Sequence, residues 1–288
     1  MGTSLWIWGS KSLSECRFHP HIPETVLQAQ SSQPIHAALA ALSSHGVMSP
    51  AQNTPSTPQT LDFNGEYGRT YRNSIRSSVP GYDSLIEVAA AALQQAVPQA
   101  GSLLVVGPGL GEELLPVLSA LPLARVTLLE PSLQMGDACL NLIAQAGAAE
   151  RCELLQQGLE PGVLPAGAPF DAVMCHNVLH LMAAEQQEAL LHTLAGCLAP
   201  GGALVLSAHS EPADPATVEA LLPVALTRLR QRGLDEAVIE KLMASRNTLV
   251  FSLDQHRVET CLSAAGLTPP LLLQQVLFSR LWLSRRPG

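Results

Sequence analysis

The stretch that decides the fold is Leu103-Leu-Val-Val-Gly-Pro-Gly-Leu-Gly-Glu-Glu113, where four apolar residues lead into glycines at positions 107, 109 and 111. The apolar residues predict a buried strand, and the following segment, Glu112 to Leu121, predicts a helix. Glycines at such a turn let the backbone approach a ligand closely. The G-x-G-x-G spacing differs from that of dinucleotide binders and lacks the G-K-[ST] of a P-loop, which favours a ligand without phosphates. The plainer interpretation is a tight strand-to-helix turn.

Outward from this turn, short apolar segments alternate with helical ones. Such alternation is typical of a parallel sheet covered by helices on both faces. We predict a doubly wound α/β domain over residues 99–288, with a helical insertion at about 213–247 and a helix C-cap at Gly266. The further predicted strands are Val126–Leu129, Cys152–Leu155, Phe170–Cys175, Ala203–Leu206, Pro270–Val276 and Phe278–Leu283, and the helices are Leu133–Ala146, Ala184–Leu198 and Asp254–Ala265.

The residues before this domain divide into two parts. Residues 61–98 predict a helical lid of two helices, Leu61–Val79 and Asp83 to about Val97, separated by Pro80-Gly81. Residues 1–60 are rich in Ser, Gln, Pro, His and Thr and predict a flexible or partly helical extension. Within it, the apolar segments Leu5–Trp8 and Ile35–Leu42 are candidates for short docked helices.

Composition excludes several classes of function. The 288 residues include 24 acidic and 16 basic ones, a net charge of −8, and Lys11 and Lys241 are the two lysines. Nucleic-acid binding is therefore not expected, because it usually needs a dense basic patch. The sequence has no apolar run of about 18 residues, no export signal and no C-x-x-C pair among its six cysteines, so we expect a cytoplasmic protein without a membrane span. We find no metal-binding motif.

A second signal lies at the end of the next predicted strand. Leu128-Leu-Glu130 places a carboxylate 19 residues beyond Gly111. A carboxylate there can accept hydrogen bonds from both hydroxyls of a ribose. The alternative is a solvated carboxylate at a strand end, which the neighbouring glycine turn makes less favourable.

These segments resemble the class I S-adenosylmethionine (SAM)-dependent methyltransferases. The resemblance covers about residues 61–286, and its last two segments are the most specific to the family. The segments are Val105-Val-Gly-Pro-Gly-Leu-Gly111, Glu130, Gln157-Gly158, Phe170-Asp-Ala-Val-Met-Cys-His-Asn-Val-Leu-His-Leu181 and Leu198-Ala-Pro-Gly-Gly-Ala-Leu-Val-Leu206.

The resemblance implies a seven-stranded, mostly parallel sheet and SAM as the cofactor. The amino-acid part of SAM is expected over Gly107, Gly109 and Gly111, and its ribose on Glu130, next to Pro131. The adenine is expected near Gly158, Leu159 and His176. Family members often carry an acidic residue where this chain has Leu159, so the choice between backbone groups and Gln157 for holding the adenine stays open.

Two stretches are similar to a branch that includes the tRNA wobble-uridine carboxymethyl-transferring enzymes. They are Ser78-Val-Pro-Gly-Tyr82 and about Gly233 to Leu283. In that branch the cofactor is carboxy-SAM, and an arginine on the inserted helices holds part of its extra carboxylate. That position falls at about Met243 here, with Arg246 one turn on, which favours ordinary SAM. The charge of −8 argues against a tRNA substrate.

The candidate catalytic residues are polar groups expected near the lid and the carboxyl edge of the sheet. A class I site mainly has to hold a nucleophile in line with a carbon of the sulfonium, in a site closed to water. Each candidate has a plainer interpretation as a packing or solvated residue, and Arg72 and Arg76 are candidates either for holding the SAM carboxylate or for a solvent-facing stripe. The candidates are Tyr71, Tyr82, His176, Asn177, His180 and His209.

Three hypotheses follow from this interpretation. The first is a SAM-dependent methyltransferase acting on a small molecule in secondary metabolism, with a homodimer as the candidate assembly. The second is a cyclase of the same fold, in which the amine of SAM attacks its own γ-carbon, giving azetidine-2-carboxylate and methylthioadenosine. The third is a SAM-binding protein without catalysis.

Overall fold

The computed structural model describes residues 61–288, so the expectations for residues 1–60, Leu5–Trp8 and Ile35–Leu42 included, lie outside the described residues. Two helices, α1 (Glu66–Ser78) and α2 (Tyr82–Ala96), precede the sheet. The remaining helices are α3 (Leu114–Ala120), α4 (Leu133–Gln145), α5 (Ala184–Gly196), α6 (Pro215–Gln231), α7 (Glu236–Ser245) and α8 (Gln255–Ala264). The strands are β1 (Ser102–Val106), β2 (Arg125–Leu129), β3 (Cys152–Leu155), β4 (Phe170–His176), β5 (Leu198–His209), β6 (Leu271–Val276) and β7 (Ser279–Arg285).

The seven strands form a single sheet in the order β3-β2-β1-β4-β5-β7-β6. Strands β1 to β5 pair in parallel, and β7 pairs antiparallel with both β5 and β6. The chain order reverses beside β1, between β2 and β4. Ligands of open α/β sheets bind at the carboxyl ends of the strands at such a switch point, so the topology places the glycine turn at the expected binding edge. The predicted seven-stranded α/β fold is confirmed.

Alternating residues of β1 pack into separate cores on the two faces of the sheet. Leu103 and Val105 belong to a cluster that includes residues of α2, α3 and α4. Leu104 and Val106 belong to a cluster that includes residues of α5, α8 and the fully buried Trp282. The near-continuous apolar runs of the sequence arise because both faces are covered.

The inserted segment is two helices rather than one continuous stretch. Gly233, with φ +82°, lies in the break between α6 and α7 and adopts a conformation that few other residues tolerate. Asp214 caps α6 by accepting hydrogen bonds from the backbone N–H groups of Ala216 and Thr217. Arg228 of α6 donates a 2.6 Å hydrogen bond to the carbonyl oxygen of Ser77, so the insertion packs against the end of α1.

Helix α1 begins five residues later than the sequence predicts. Leu61 to Gly65 form an irregular segment that is anchored to α4, because the Gln134 amide donates to the carbonyl oxygen of Gly65 at 3.3 Å. This tertiary contact has no local signal in the sequence. No helix within residues 61–288 is long and apolar enough to cross a membrane.

Candidate active site

The glycine turn, residues 107–111, connects β1 to the segment before α3, and all three of its glycines have positive φ angles. Their φ angles are +67°, +54° and +80° at Gly107, Gly109 and Gly111. A Cβ atom on Gly107 would lie 2.5 Å from Cγ2 of Val178, and one on Gly111 would lie 2.8 Å from Sγ of Cys139. At Gly109 the nearest atom would be 3.5 Å away, so this glycine leaves backbone open to a ligand.

Glu130 follows β2 and is bonded directly to the glycine turn. Its Oε2 accepts a 3.0 Å hydrogen bond from the Gly109 N–H, and its Oε1 accepts one of 3.0 Å from the Ser132 N–H. Burial raises the pKa of this carboxyl, while the two backbone hydrogen bonds lower it. Ser132 also caps α4 by accepting from the Met135 N–H. A carboxylate that can accept hydrogen bonds therefore lies beside the glycine turn, where the resemblance implies that the ribose of SAM binds.

The segment expected near the adenine is mainly apolar. Leu159 is buried in the core cluster that also contains Leu129, and Leu155 packs against that cluster. A Cβ atom on Gly158 would meet nothing within 4 Å, so the position beside Leu159 is open. The placement of adenine there stays a prediction, as does the role of Pro131.

A buried polar network lies under the glycine turn. The Tyr82 hydroxyl donates to Oε1 of Glu113 at 2.9 Å, and Nδ1 of His176 lies 2.9 Å from Oε2 of the same carboxylate. Burial and Glu113 raise the pKa of Tyr82, so its hydroxyl stays protonated and positions Glu113 instead of acting as a base. The resemblance implies His176 near the adenine, whereas the structure pairs it with Glu113, two residues beyond the turn. The place of His176 near the adenine stays a prediction.

Two polar atoms at the end of β4 are buried without a hydrogen-bond partner in the described part of the chain. They are Nε2 of His176 and Nδ2 of Asn177. Asn177 also has φ +56°, an uncommon backbone conformation for a residue with a side chain. Buried polar groups are nearly always satisfied, so these two atoms are candidates for contact with polar groups of a ligand. Three features of the site are thus compatible with SAM: the open glycine turn, the carboxylate of Glu130 beside it, and the two buried polar atoms that lack a partner.

Removing the Glu113 carboxylate should destabilise the fold far more than removing its neighbour. Glu113→Ala leaves the Tyr82 hydroxyl and the His176 ring buried without their common partner, at a cost of about 2–3 kcal/mol in the free energy of unfolding. Glu112→Ala is the matched control, because Glu112 only forms partly exposed ion pairs with Arg72 and Arg76, worth about 1 kcal/mol or less. Urea denaturation of both variants measures the difference, and equal losses would contradict the network's role.

A cavity of about 220 Å³ lies between α1, α6, α7 and the carboxyl edge of the sheet. Its wall is mainly apolar and brings together the predicted candidates Tyr71, Asn177, His180 and His209. Tyr82, His176 and Arg76 are not among the lining residues. The polar residues of the wall are Tyr67, Tyr71, Ser78, Asn177, His180, His209, Glu211, Arg228, Ser245, Arg246 and Ser279.

His180 lines this cavity and has one ring nitrogen engaged by the backbone. Its Nδ1 accepts a 3.1 Å hydrogen bond from the backbone N–H of His209. Burial, together with His209, lowers the pKa of His180 to about 3. The ring is therefore neutral near pH 7, and the accepting role of Nδ1 places its proton on Nε2.

Glu211, which is not among the candidates proposed from the sequence, organises the polar side of the cavity. Its Oε1 lies 3.4 Å from Nε2 of His209 and accepts hydrogen bonds of 3.0 and 2.7 Å from the Arg246 guanidinium. The hydrogen bond with His209, followed by those with Arg246, lowers the pKa of Glu211. The position two residues after His209, at the carboxyl edge of β5, was the one available signal.

The two arginines proposed for the SAM carboxylate are engaged with protein carboxylates. Arg72 pairs with Glu112 at 2.6 Å, and Arg76 bonds both Glu112 at 2.7 Å and Asp83 at 2.9 Å. The guanidinium of Arg76 also lies 5.4 Å from the ring centroid of Tyr82. A role in holding a ligand carboxylate would require these pairs to exchange, so it stays a prediction. Residues 61–288 contain no group of three or more side chains arranged to hold a metal ion.

Comparisons with known proteins agree with this geometry. A family model described as a methyltransferase domain matches residues 104–204. Carboxy-S-adenosyl-L-methionine synthases of Pseudomonas fluorescens (strain SBW25) and Pseudomonas syringae pv. tomato (strain ATCC BAA-871 / DC3000) are each 30% identical over 226 residues, covering 75% of this chain and 88% of theirs.

Two solved structures share the fold at low sequence identity. An O-methyltransferase family protein from Burkholderia thailandensis is 20% identical with a TM-score of 0.57, covering 77% of this chain and 60% of that one. Magnesium protoporphyrin IX methyltransferase from Synechocystis PCC 6803 with bound S-adenosylhomocysteine (SAH) is 17% identical with a TM-score of 0.55, covering 78% of this chain and 96% of that one. The chain therefore belongs to the class I SAM-dependent methyltransferase superfamily, in the part that contains the carboxy-SAM synthases, and is an enzyme that uses SAM as donor or substrate.

Proposed function

We propose that the protein transfers the methyl group of SAM to a small, largely apolar acceptor. The observation that carries this proposal is the cavity beside the glycine turn, because Tyr71 lines the cavity and also lies next to Gly109, 3.8 Å from a Cβ atom built there. The cofactor and an acceptor can therefore meet at one place. The wall is mainly aliphatic and aromatic, which suits an apolar acceptor with one polar reacting group.

The side chains of the cavity supply orientation and a proton acceptor. When bound, SAM supplies a methyl carbon that its sulfonium makes electrophilic. The acceptor lone pair bonds to this carbon as the carbon–sulfur bond breaks, and the sulfonium becomes a neutral thioether. His209 takes the proton that the acceptor loses, and Glu211 stabilises the resulting imidazolium. His180 Nε2–H and the unpaired Asn177 amide orient the acceptor. The apolar walls exclude water, which keeps the acceptor in line with the methyl carbon.

A second candidate is the intramolecular cyclisation of SAM, favoured by the buried His176–Glu113 pair. An imidazole backed by a carboxylate, with its other nitrogen unpaired, is the arrangement of a general base. Cyclisation needs such a base near the glycine turn, because the α-ammonium group must lose a proton before its nitrogen attacks the γ-carbon. Nε2 of His176 takes this proton, the neutral amine then attacks the γ-carbon, the bond between that carbon and sulfur breaks, and methylthioadenosine leaves. Methyl transfer needs no base there.

Incubation with SAM distinguishes the two reactions. We expect the purified full chain with SAM alone to retain SAM without turnover, and to release SAH when a panel of small apolar alcohols, phenols and amines is added. Mass spectrometry of the products measures both. Methylthioadenosine with a four-carbon cyclic amino acid, well above the spontaneous rate, would instead establish cyclisation.

Adding a carboxylate-bearing co-substrate to the incubation with SAM tests the activity for which the curated relatives are named. The lining residues Met243 and Arg246 occupy the region where the related branch uses an arginine, and the Arg246 charge is neutralised by Glu211. We therefore propose unmodified SAM as the form bound here. A product with the mass of SAM plus one carboxyl group, formed with a carboxylate-bearing co-substrate, would overturn this assignment. SAM bound without any turnover across the panel would favour a non-catalytic SAM-binding protein.

A further inference from the structure

We propose that Phe63, Tyr67 and Tyr71, hereafter the aromatic trio, form a cage for the sulfonium of SAM. The cage would make this site select SAM over SAH, whose sulfur is uncharged. The inference rests on the proposed use of SAM at the glycine turn and deepens it by naming the residues that recognise the charge.

The three rings pack against one another in the cavity wall. Their centroids are 5.2 Å apart for Phe63 and Tyr67, 5.9 Å for Phe63 and Tyr71, and 6.0 Å for Tyr67 and Tyr71. The interplanar angles are 79°, 62° and 71°, so each pair meets edge to face. All three residues line the cavity. Aromatic cages that bind quaternary ammonium groups use inclined rings in this way.

The position of the trio matches the position of sulfur within SAM. At one end, Tyr71 lies 3.8 Å from a Cβ atom built on Gly109, where the amino-acid part is expected. At the other end, the Phe63 carbonyl oxygen lies 3.0 Å from the hydroxyl of Ser132, whose N–H is bonded to Glu130, the expected ribose acceptor. The sulfur of SAM is bonded both to the ribose C5′ and to the amino-acid chain. A group between the two subsites is therefore beside the sulfur.

The electrostatics of the wall leave the ring faces as the partners for a cation. Burial raises the pKa of Tyr67 to about 12, and burial together with Glu113 raises the pKa of Tyr71 well above its usual value, so both phenols are uncharged near pH 7. The carboxylates that act on Tyr71 already accept hydrogen bonds from other groups: Glu113 from Tyr82, Glu130 from backbone N–H groups and Glu112 from Arg76. The negative face of an aromatic ring attracts a desolvated cation.

Tyr71 is the residue to vary, because its ring joins the trio to the glycine turn. We expect Tyr71→Leu to weaken SAM binding by about 5- to 30-fold and to change SAH binding by less than about twofold. Tyr71→Phe is the matched control: it keeps the ring and should keep the wild-type ratio of SAM to SAH affinity. Isothermal titration calorimetry of the full chain with each ligand measures the ratio, and circular dichroism verifies folding.

Each alternative outcome decides a different part of the inference. Wild-type protein that binds SAM and SAH equally, or a Tyr71→Leu variant that loses both ligands by the same factor, overturns the cage and leaves the SAM site in place. Wild-type protein that binds neither ligand overturns the proposed function together with the cage. Should Tyr71→Leu not fold, Phe63→Leu is the second variant, with the same expected selective loss of SAM affinity.

Discussion

Replacing Gly109 by leucine is expected to lower SAM affinity by about 100-fold or more while the protein remains folded. A Cβ atom at this position has room, since its nearest neighbour would be Cε of Met135 at 3.5 Å, but the rest of the leucine would occupy the open surface of the turn. The φ of +54° adds strain of about 1–2 kcal/mol, which lowers stability without unfolding the chain.

The matched control is Gly147→Leu. Gly147 follows α4 with φ +70°, and a Cβ atom there would meet nothing within 4 Å. This control therefore carries similar backbone strain away from the proposed site. Calorimetric titration with SAM and thermal unfolding of both variants separate the two effects. Unchanged SAM affinity in folded Gly109→Leu protein would show that the site lies elsewhere.

The second large effect is expected for Glu130→Gln, which should weaken SAM binding by about 30- to 100-fold. The carboxylate accepts from both the Gly109 and Ser132 N–H groups, whereas an amide has one oxygen and must turn its NH₂ group toward a second donor. The substitution therefore disturbs the glycine turn and removes the charged acceptor proposed for the ribose hydroxyls. Glu153→Gln on β3 is the control, because Glu153 is exposed and its loss removes the same charge.

The pH dependence of binding gives an independent measure of the Glu130 role. Burial raises the pKa of Glu130 above that of an exposed glutamate. Protonation removes the negative charge of the carboxylate, which is proposed to accept hydrogen bonds from the ribose hydroxyls. We expect the SAM affinity of the wild type to fall on acidification, beginning at a higher pH than the titration of an exposed glutamate would give, and to fall less steeply in Glu130→Gln. A parallel pH profile in the two proteins would show that Glu130 does not contribute as a carboxylate.

The glycine turn and the strands could be predicted because their signals are local. Leu103–Val106 is a continuous apolar run, and such a run predicts a strand buried on both faces wherever it lies in the chain. The three glycines follow the end of β1, and Glu130 follows the end of β2. The strand prediction therefore also predicts that they lie at the same edge of the sheet. Helix bounds were less accurate, because the start of α1 depends on its contact with α4.

The sequence by itself determined the α/β class, the position of the glycine turn and its acidic neighbour, because each rests on residues close together in the chain. Only the tertiary structure decided what surrounds them. Tyr82 and His176 meet Glu113 across 31 and 63 residues, and Phe63 contacts Ser132 across 69. No periodic pattern in the sequence identifies such pairs. Residues separated this far along the chain meet only through the way helices and strands pack. The packing made Tyr82 a positioning group, His180 a donor and Glu211 part of the site.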